Sequence, residues 1–149
     1  MEPRMKQPIA ALPGAMEAMM GLITSIGKSG LDESVKLLVD LRASQINGCS
    51  FCVDMHSREA RQEGETEQRL YLVAAWRESP LFSDRERAAF AWTEAVTQIS
   101  QGGVPDALYD QARAQFTETE LVQLTMVIAV INTWNRLSES FHTIHPMPE

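Results

Sequence analysis

Residues Leu121 to Leu137 are hydrophobic almost all round a helical wheel, and a helix of that kind belongs in the middle of a bundle. Thr117-Glu118-Thr119-Glu120 opens it as a capping box, in which the Thr and Glu side chains satisfy amides left free at a helix start. The rest of the chain supplies further helices to surround it. Pro13 is placed to open a first helix that repeats Met16, Met19, Met20, Ile23 and Ile26 at helical spacing. A second is expected from after Asp32 to Ile46, stopped by Asn47-Gly48, and a third from Cys49 or Ser50 to Gly64. Thr66 caps a fourth that runs through Trp76, with Pro80 marking the break beyond it. Ser83-Asp84-Arg85-Glu86 is a second capping box, and its helix turns Ala88, Ala89, Trp92 and Val96 inward. Gly102-Gly103 separates that helix from a short one opened by Pro105. Strand signals are weak throughout. The expectation is an all-α bundle of about six to seven helices, one domain spanning residues 1–149.

At 149 residues a domain buries roughly 70% of its unfolded surface and needs no metal or disulfide to hold it. The two cysteines are therefore free for chemistry. A net charge of -7 argues against nucleic acid, because phosphate binding requires clustered Lys and Arg. No basic run suits an anionic membrane surface. The longest apolar run, Leu70 to Trp76, is seven residues, against the roughly 20 needed to span a bilayer. MEPRMKQPIA lacks the apolar core of a signal peptide, so a cytoplasmic location is expected. In that compartment a disulfide that forms is more often a working one than a structural one.

The chemistry gathers in Cys49-Ser50-Phe51-Cys52-Val53-Asp54-Met55-His56. On a helix the two cysteines are i, i+3 neighbours, with α-carbons about 5–6 Å apart, close enough for a disulfide. His56, four residues after Cys52, falls on the same stripe as Val53 and Ala60. Asp54, Ser57, Arg58 and Arg61 make the solvated face. The thiols and the imidazole are thus expected to share a semi-buried cleft. In the first turn of a helix, free amides and the dipole favour thiolate over thiol, and neutral His56 can accept the Cys52 proton. A partner thiol one turn away can resolve an oxidised sulfur to a disulfide. Three other readings stand beside this one. The cysteines can be small buried hydrophobes. Cys49, Cys52 and His56 can hold zinc with His142 or His145 as fourth ligand. The chain can also be a non-redox helical oligomer that binds a small hydrophobic or aromatic ligand or a protein partner. Covalent haem attachment requires a histidine where Val53 stands, and is excluded.

The block Leu41 to His56, LRASQINGCSFCVDMH, resembles the alkylhydroperoxidase D-like group of the carboxymuconolactone decarboxylase family. Gly64-Glu65-Thr66, the run Glu86 to Glu94 and Ile131-Asn132-Thr133-Trp134-Asn135-Arg136 extend the likeness over roughly residues 15 to 140. It implies an all-helical fold that assembles as a homotrimer or homohexamer, with the CxxC pair at the N-terminus of a helix. It also implies a thiol-dependent alkyl hydroperoxidase or thiol–disulfide oxidoreductase that needs no cofactor or metal. By the same resemblance Cys52 attacks an organic hydroperoxide, Cys49 resolves it and His56 accepts the proton. A dithiol reductant, a lipoyl protein or a thioredoxin-like protein, then restores the pair.

One position departs from the family pattern. Members often carry a glutamate twelve residues before the first cysteine, as part of a proton relay, and here that place is Leu37. Glu33 and Asp40 lie one turn to either side, on a polar stripe with Lys36 and Ser44 that is expected to face water. Since general acid–base help is worth about 10²–10⁴-fold, peroxide turnover is expected to be weak while disulfide exchange survives. Trp76, Trp92 and Trp134 are expected as core or interface anchors, and Met16, Met19 and Met20 as packing against a neighbouring helix or subunit. Asn132, Asn135 and Arg136 are expected to satisfy buried backbone groups or to pair with Glu86 or Glu94. His142 and His145, in the tail HTIHPMPE, carry no assigned chemistry.

Overall fold

Four helices open on a side-chain cap, at Cys49, Thr66, Ser83 and Thr117, in the structure, a computed structural model that describes residues 2–147. Met1 and the last two residues of the HTIHPMPE tail lie outside them, as do those ends of the expected 1–149 domain. Seven α-helices occur among the described residues, and no strand: α1 (Pro13–Gly27), α2 (Glu33–Asn47), α3 (Ser50–Gln62), α4 (Glu67–Leu72), α5 (Asp84–Thr97), α6 (Asp106–Gln115) and α7 (Glu118–Phe141). Both capping boxes form, Ser83 with Glu86 and Thr117 with Glu120, and Thr66 Oγ1 accepts the Arg69 amide. No described helix is long and apolar enough to cross a membrane.

The fourth helix differs from the expectation. It tightens at Val73 into a 3₁₀ segment, Val73–Glu78, with a kink at Ala75. That turn carries Trp76 to Phe90, at 5.6 Å between ring centroids, and lets its indole N–H donate to Glu94 Oε1 at 2.8 Å. Arg42 and Arg77 also donate to Glu94, so one carboxylate ties α2, the 3₁₀ turn and α5 together. Burial raises the energy of its charge, while these donors more than offset that and leave its pKa below the ordinary value.

The helix at the centre is also not the expected one. Val35, Leu37, Leu38, Val39, Leu41, Ala43 and Ser44 of α2 are all buried, a nearly continuous run. Val35 and Val39 pack with Ala89, Trp92, Leu124 and Ile128, whereas Leu37, Leu38 and Leu41 pack with Val73, Trp76, Phe82 and Phe90. Helix α2 therefore separates two halves of the core. Helix α7 buries only one side, through Leu124, Val127, Ile128 and Ile131; Val122 and Met126 are 64% and 36% exposed. Its apolar sequence exceeds what a single chain covers, because its neighbours lie along one flank. Helix α1 contributes no fully buried residue.

Candidate active site

The junction of α2 and α3 presents the cysteines. Asn47 ends α2, and Gly48 at φ 73° takes the left-handed conformation that turns the chain. The Cys49 amide then donates back to the Ser44 carbonyl at 3.0 Å. Buried amides from α7 lock this turn. Asn47 Nδ2 donates to Asn132 Oδ1 at 3.0 Å and to Asn135 Oδ1 at 2.8 Å, and Asn135 Nδ2 donates to Ser44 Oγ at 3.1 Å. A buried network whose members are satisfied in this way holds a single arrangement.

Cys49 is the N-cap of α3, and its Sγ accepts the Cys52 amide at 3.2 Å. The two sulfurs are joined as a disulfide, with α-carbons 5.3 Å apart, inside the expected window. Both residues are almost wholly buried, but they are not equivalent. Cys52 lines a cleft of about 660 Å³ together with His56, while Cys49 lies outside that lining. One cysteine of the pair therefore lines the cleft, where a cleft shared by both was expected.

His56 is 8% exposed, and its Nδ1 lies 2.9 Å from Glu59 Oε2. An ionised carboxylate only accepts, so Nδ1 carries the proton of the neutral ring and Nε2 keeps its lone pair. Nε2 is buried and makes no hydrogen bond among the described residues. Burial, partly opposed by the Glu59 charge, lowers the His56 pKa and keeps the ring neutral near pH 7.

The polar stripe of α2 is the main correction. Lys36 and Asp40 are half-buried in the wall of the cleft that Cys52 and His56 line, and Ser44 is buried beneath the turn; Glu33 also lines the cleft, but its side chain is 63% exposed and meets water as expected. A stripe of polar residues faces either water or a polar-edged cleft, and sequence spacing does not separate the two. Burial, then the charges of Glu59 and Glu33, pushes the Asp40 carboxyl well above its ordinary range, with Lys36 opposing. Leu37 is buried and reaches the cleft wall from the same helix.

Other residues fall differently from expectation. Trp76 and Trp92 are core residues, but Trp134 is half-buried and lines the cleft, as does Met20. Asn132 Nδ2 satisfies the Ile128 carbonyl as expected, and it also donates to Thr97 Oγ1. Arg136 donates to the backbone carbonyl of Asn132, as one branch of the expectation had it, and also to Asn132 Oδ1, while Glu86 pairs with Arg69 and Glu94 with Arg42 and Arg77. No group of three or more His, Cys, Asp or Glu that would hold a metal ion occurs among the described residues, so the zinc alternative gains no support. Glu59, Asn47 and Ser44 were missed by sequence reasoning. The i, i+3 spacing of His56 and Glu59 is the signal that points to the first of them.

Comparison with known proteins gives a consistent picture. The model of the carboxymuconolactone decarboxylase family matches residues 11–95. The uncharacterized protein YdfG of Bacillus subtilis (strain 168) is 41% identical over 126 residues, 85% of this chain and 86% of that one. The uncharacterized protein YnjA of Escherichia coli (strain K12) is 37% identical over 121 residues, 81% of this chain and 64% of that one. A crystal structure from Agrobacterium tumefaciens superposes with a TM-score of 0.93 at 43% identity, covering 99% of this chain and 100% of that one. It is described as a protein of unknown function and a candidate antioxidant defence protein, AhpD.

Proposed function

The chain belongs to the carboxymuconolactone decarboxylase family, in its alkylhydroperoxidase D-like group, and from that premise we propose that it is a thiol-dependent peroxidase acting on organic hydroperoxides. One observation carries the reading: Cys52 and His56 line one cleft, the His56 Nε2 is buried without a partner, and Cys49 is bonded to Cys52 at the helix cap.

In the reduced protein His56 Nε2 takes the Cys52 thiol proton. The thiolate attacks one peroxide oxygen; an S–O bond forms as the O–O bond breaks. The leaving alkoxide takes the proton from His56 and departs as alcohol. Cys49, as thiolate, then attacks the Cys52 sulfenic acid, so that an S–S bond forms and hydroxide leaves, protonated to water. Two thiols and one hydroperoxide thus give one disulfide, one alcohol and one water. Glu59 holds the imidazole in the required tautomer, a role that does not depend on a carboxylate at Leu37.

Reduction reverses the asymmetry. A donor thiolate attacks Cys52, the cysteine that lines the cleft, and Cys49 leaves as thiolate where the Cys52 amide is already placed to stabilise it. The second donor thiol then closes the donor disulfide and frees Cys52. A lipoyl or thioredoxin-like dithiol suits this step, and an assembly of three or six copies is part of the proposal. Exposed Leu12 just before α1, Met16 on α1 and Val122 on α7 support such an assembly.

The roles of the two cysteines are separable. Cys49→Ser is expected to react with cumene hydroperoxide and to stop at a sulfenic acid on Cys52, trapped by dimedone and read by mass. Cys52→Ser is expected to be unreactive on that timescale; equal reactivity of Cys49 in Cys52→Ser removes the assignment. In a non-redox ligand-binding protein, both variants bind the ligand as the wild type does and neither native thiol reacts.

A further inference from the structure

The cleft walls differ in charge according to the helix that builds them. Helices α2 and α3, with Glu63 just past the end of α3, contribute four carboxylates, Glu33, Asp40, Glu59 and Glu63, against the single ammonium of Lys36. Lys36 is already ion-paired with Glu33 on its own helix. The α1 and α7 walls carry no ionisable group and are largely apolar, with Met20, Ile23, Val130 and Trp134 among them. His56, which lines the cleft with Cys52, adds a buried Nε2 acceptor without a partner.

Each observation bears on what can enter. A volume of about 660 Å³ falls in the range of roughly 300–1,000 Å³ usual for small-molecule sites. The apolar walls take up a hydrocarbon or aromatic body. His56 Nε2 offers one hydrogen-bond acceptor to a polar head that carries a proton, as a hydroperoxide does. A carboxylate brought into the same space loses its water, meets like charges and finds no unpaired cation on the lining to replace its hydration. Exclusion of this kind is a standard route to specificity.

We propose that the cleft selects uncharged apolar substrates and rejects those that carry a carboxylate, so that an alkyl or aryl hydroperoxide is taken and a free fatty-acid hydroperoxide is not. This rests on the cleft being the substrate site of the proposed peroxidase. The specificity residues are Glu33 and Asp40, which face the substrate without belonging to the thiol–imidazole pair.

Two matched probes, 2-naphthylmethanol and 2-naphthoate, share a ring and differ in charge. Calorimetric titration of the disulfide form at pH 7.5 is expected to give the alcohol at least about tenfold tighter binding, a modest specificity difference for a charge mismatch. Glu33→Gln/Asp40→Asn, which also frees Lys36, is expected to cut that ratio at least about threefold, and Glu33→Gln alone to cut it less, since Asp40 still stands in the cleft wall. Naphthoate binding as tightly as the alcohol, a ratio unchanged in both variants, or no binding of either probe overturns the proposal. Thiol loss with cumene hydroperoxide is read separately. Thiols that survive it while the probe ratio holds refute the peroxidase and leave the selectivity standing. Thiol loss without probe discrimination does the reverse.

Discussion

His56 and Asp40 share a cleft and are pushed to opposite ends of their titration ranges. Burial depresses the imidazole, Glu59 pulls it part of the way back, and the ring stays a neutral base. Glu59→Gln removes that pull. The His56 pKa should fall further, and the acidic limb of the pH–rate profile for thiol oxidation, already below 6.5, should move to still lower pH. The plateau rate is expected to drop about tenfold as the ring loses its orienting acceptor, toward the low end of general-base effects. A slower plateau with an unmoved limb would mean that Glu59 acts only in packing. Asp40 works the other way. Its folded pKa is raised, so the native state holds a proton that the unfolded chain has released, and stability falls as pH rises from about 3.9 through the native value. Across that window burial of the carboxyl is a growing cost. Asp40→Asn should therefore raise Tm at pH 7 by about 2–4 °C, the shift that roughly 1 kcal/mol brings at this size. The gain should shrink as pH falls toward 4, and a gain independent of pH would contradict the cause given.

The turn between α2 and α3 is the element on which the site depends, and it was partly legible in advance. Gly48 as helix stop, Cys49 at the start of α3 and the capping boxes at Ser83 and Thr117 follow from local backbone chemistry, which a one-dimensional pattern records. Helix α2 as the centre did not follow, because its burial comes from what α5 and α7 place on either side of it. Glu59 was legible by spacing, though only the burial of His56 gives that spacing a role. The facing of Lys36 and Asp40 was not legible, since a polar stripe reads alike beside water and beside a cleft. Two substitutions test the turn. No atom lies within 4 Å of a Cβ added at Gly48, so Gly48→Ala should cost only the left-handed backbone conformation, about 1–2 kcal/mol in urea unfolding. Asn135→Ala leaves Asn47 and Ser44 each short of a partner in a buried place and should cost more, about 2–4 kcal/mol. If Asn135→Ala is the milder change, the amide network does not hold the turn.

At the scale of the whole molecule, two core halves on either side of α2 hold one face of the bundle open as a cleft, and a single cysteine of a buried pair lines it. The first turn of α3 and the amide network keep the pair in register, and in the proposed function the cleft decides which cysteine meets the reactant. The central claim is that this dithiol closes on itself at the expense of a hydroperoxide. Counting free thiols in the fully reduced protein at pH 7, before and after one equivalent of cumene hydroperoxide, tests it directly. The account predicts that two thiols per chain become none, with the new disulfide inside a single chain and one equivalent of alcohol released. Two thiols still present after excess hydroperoxide would contradict it.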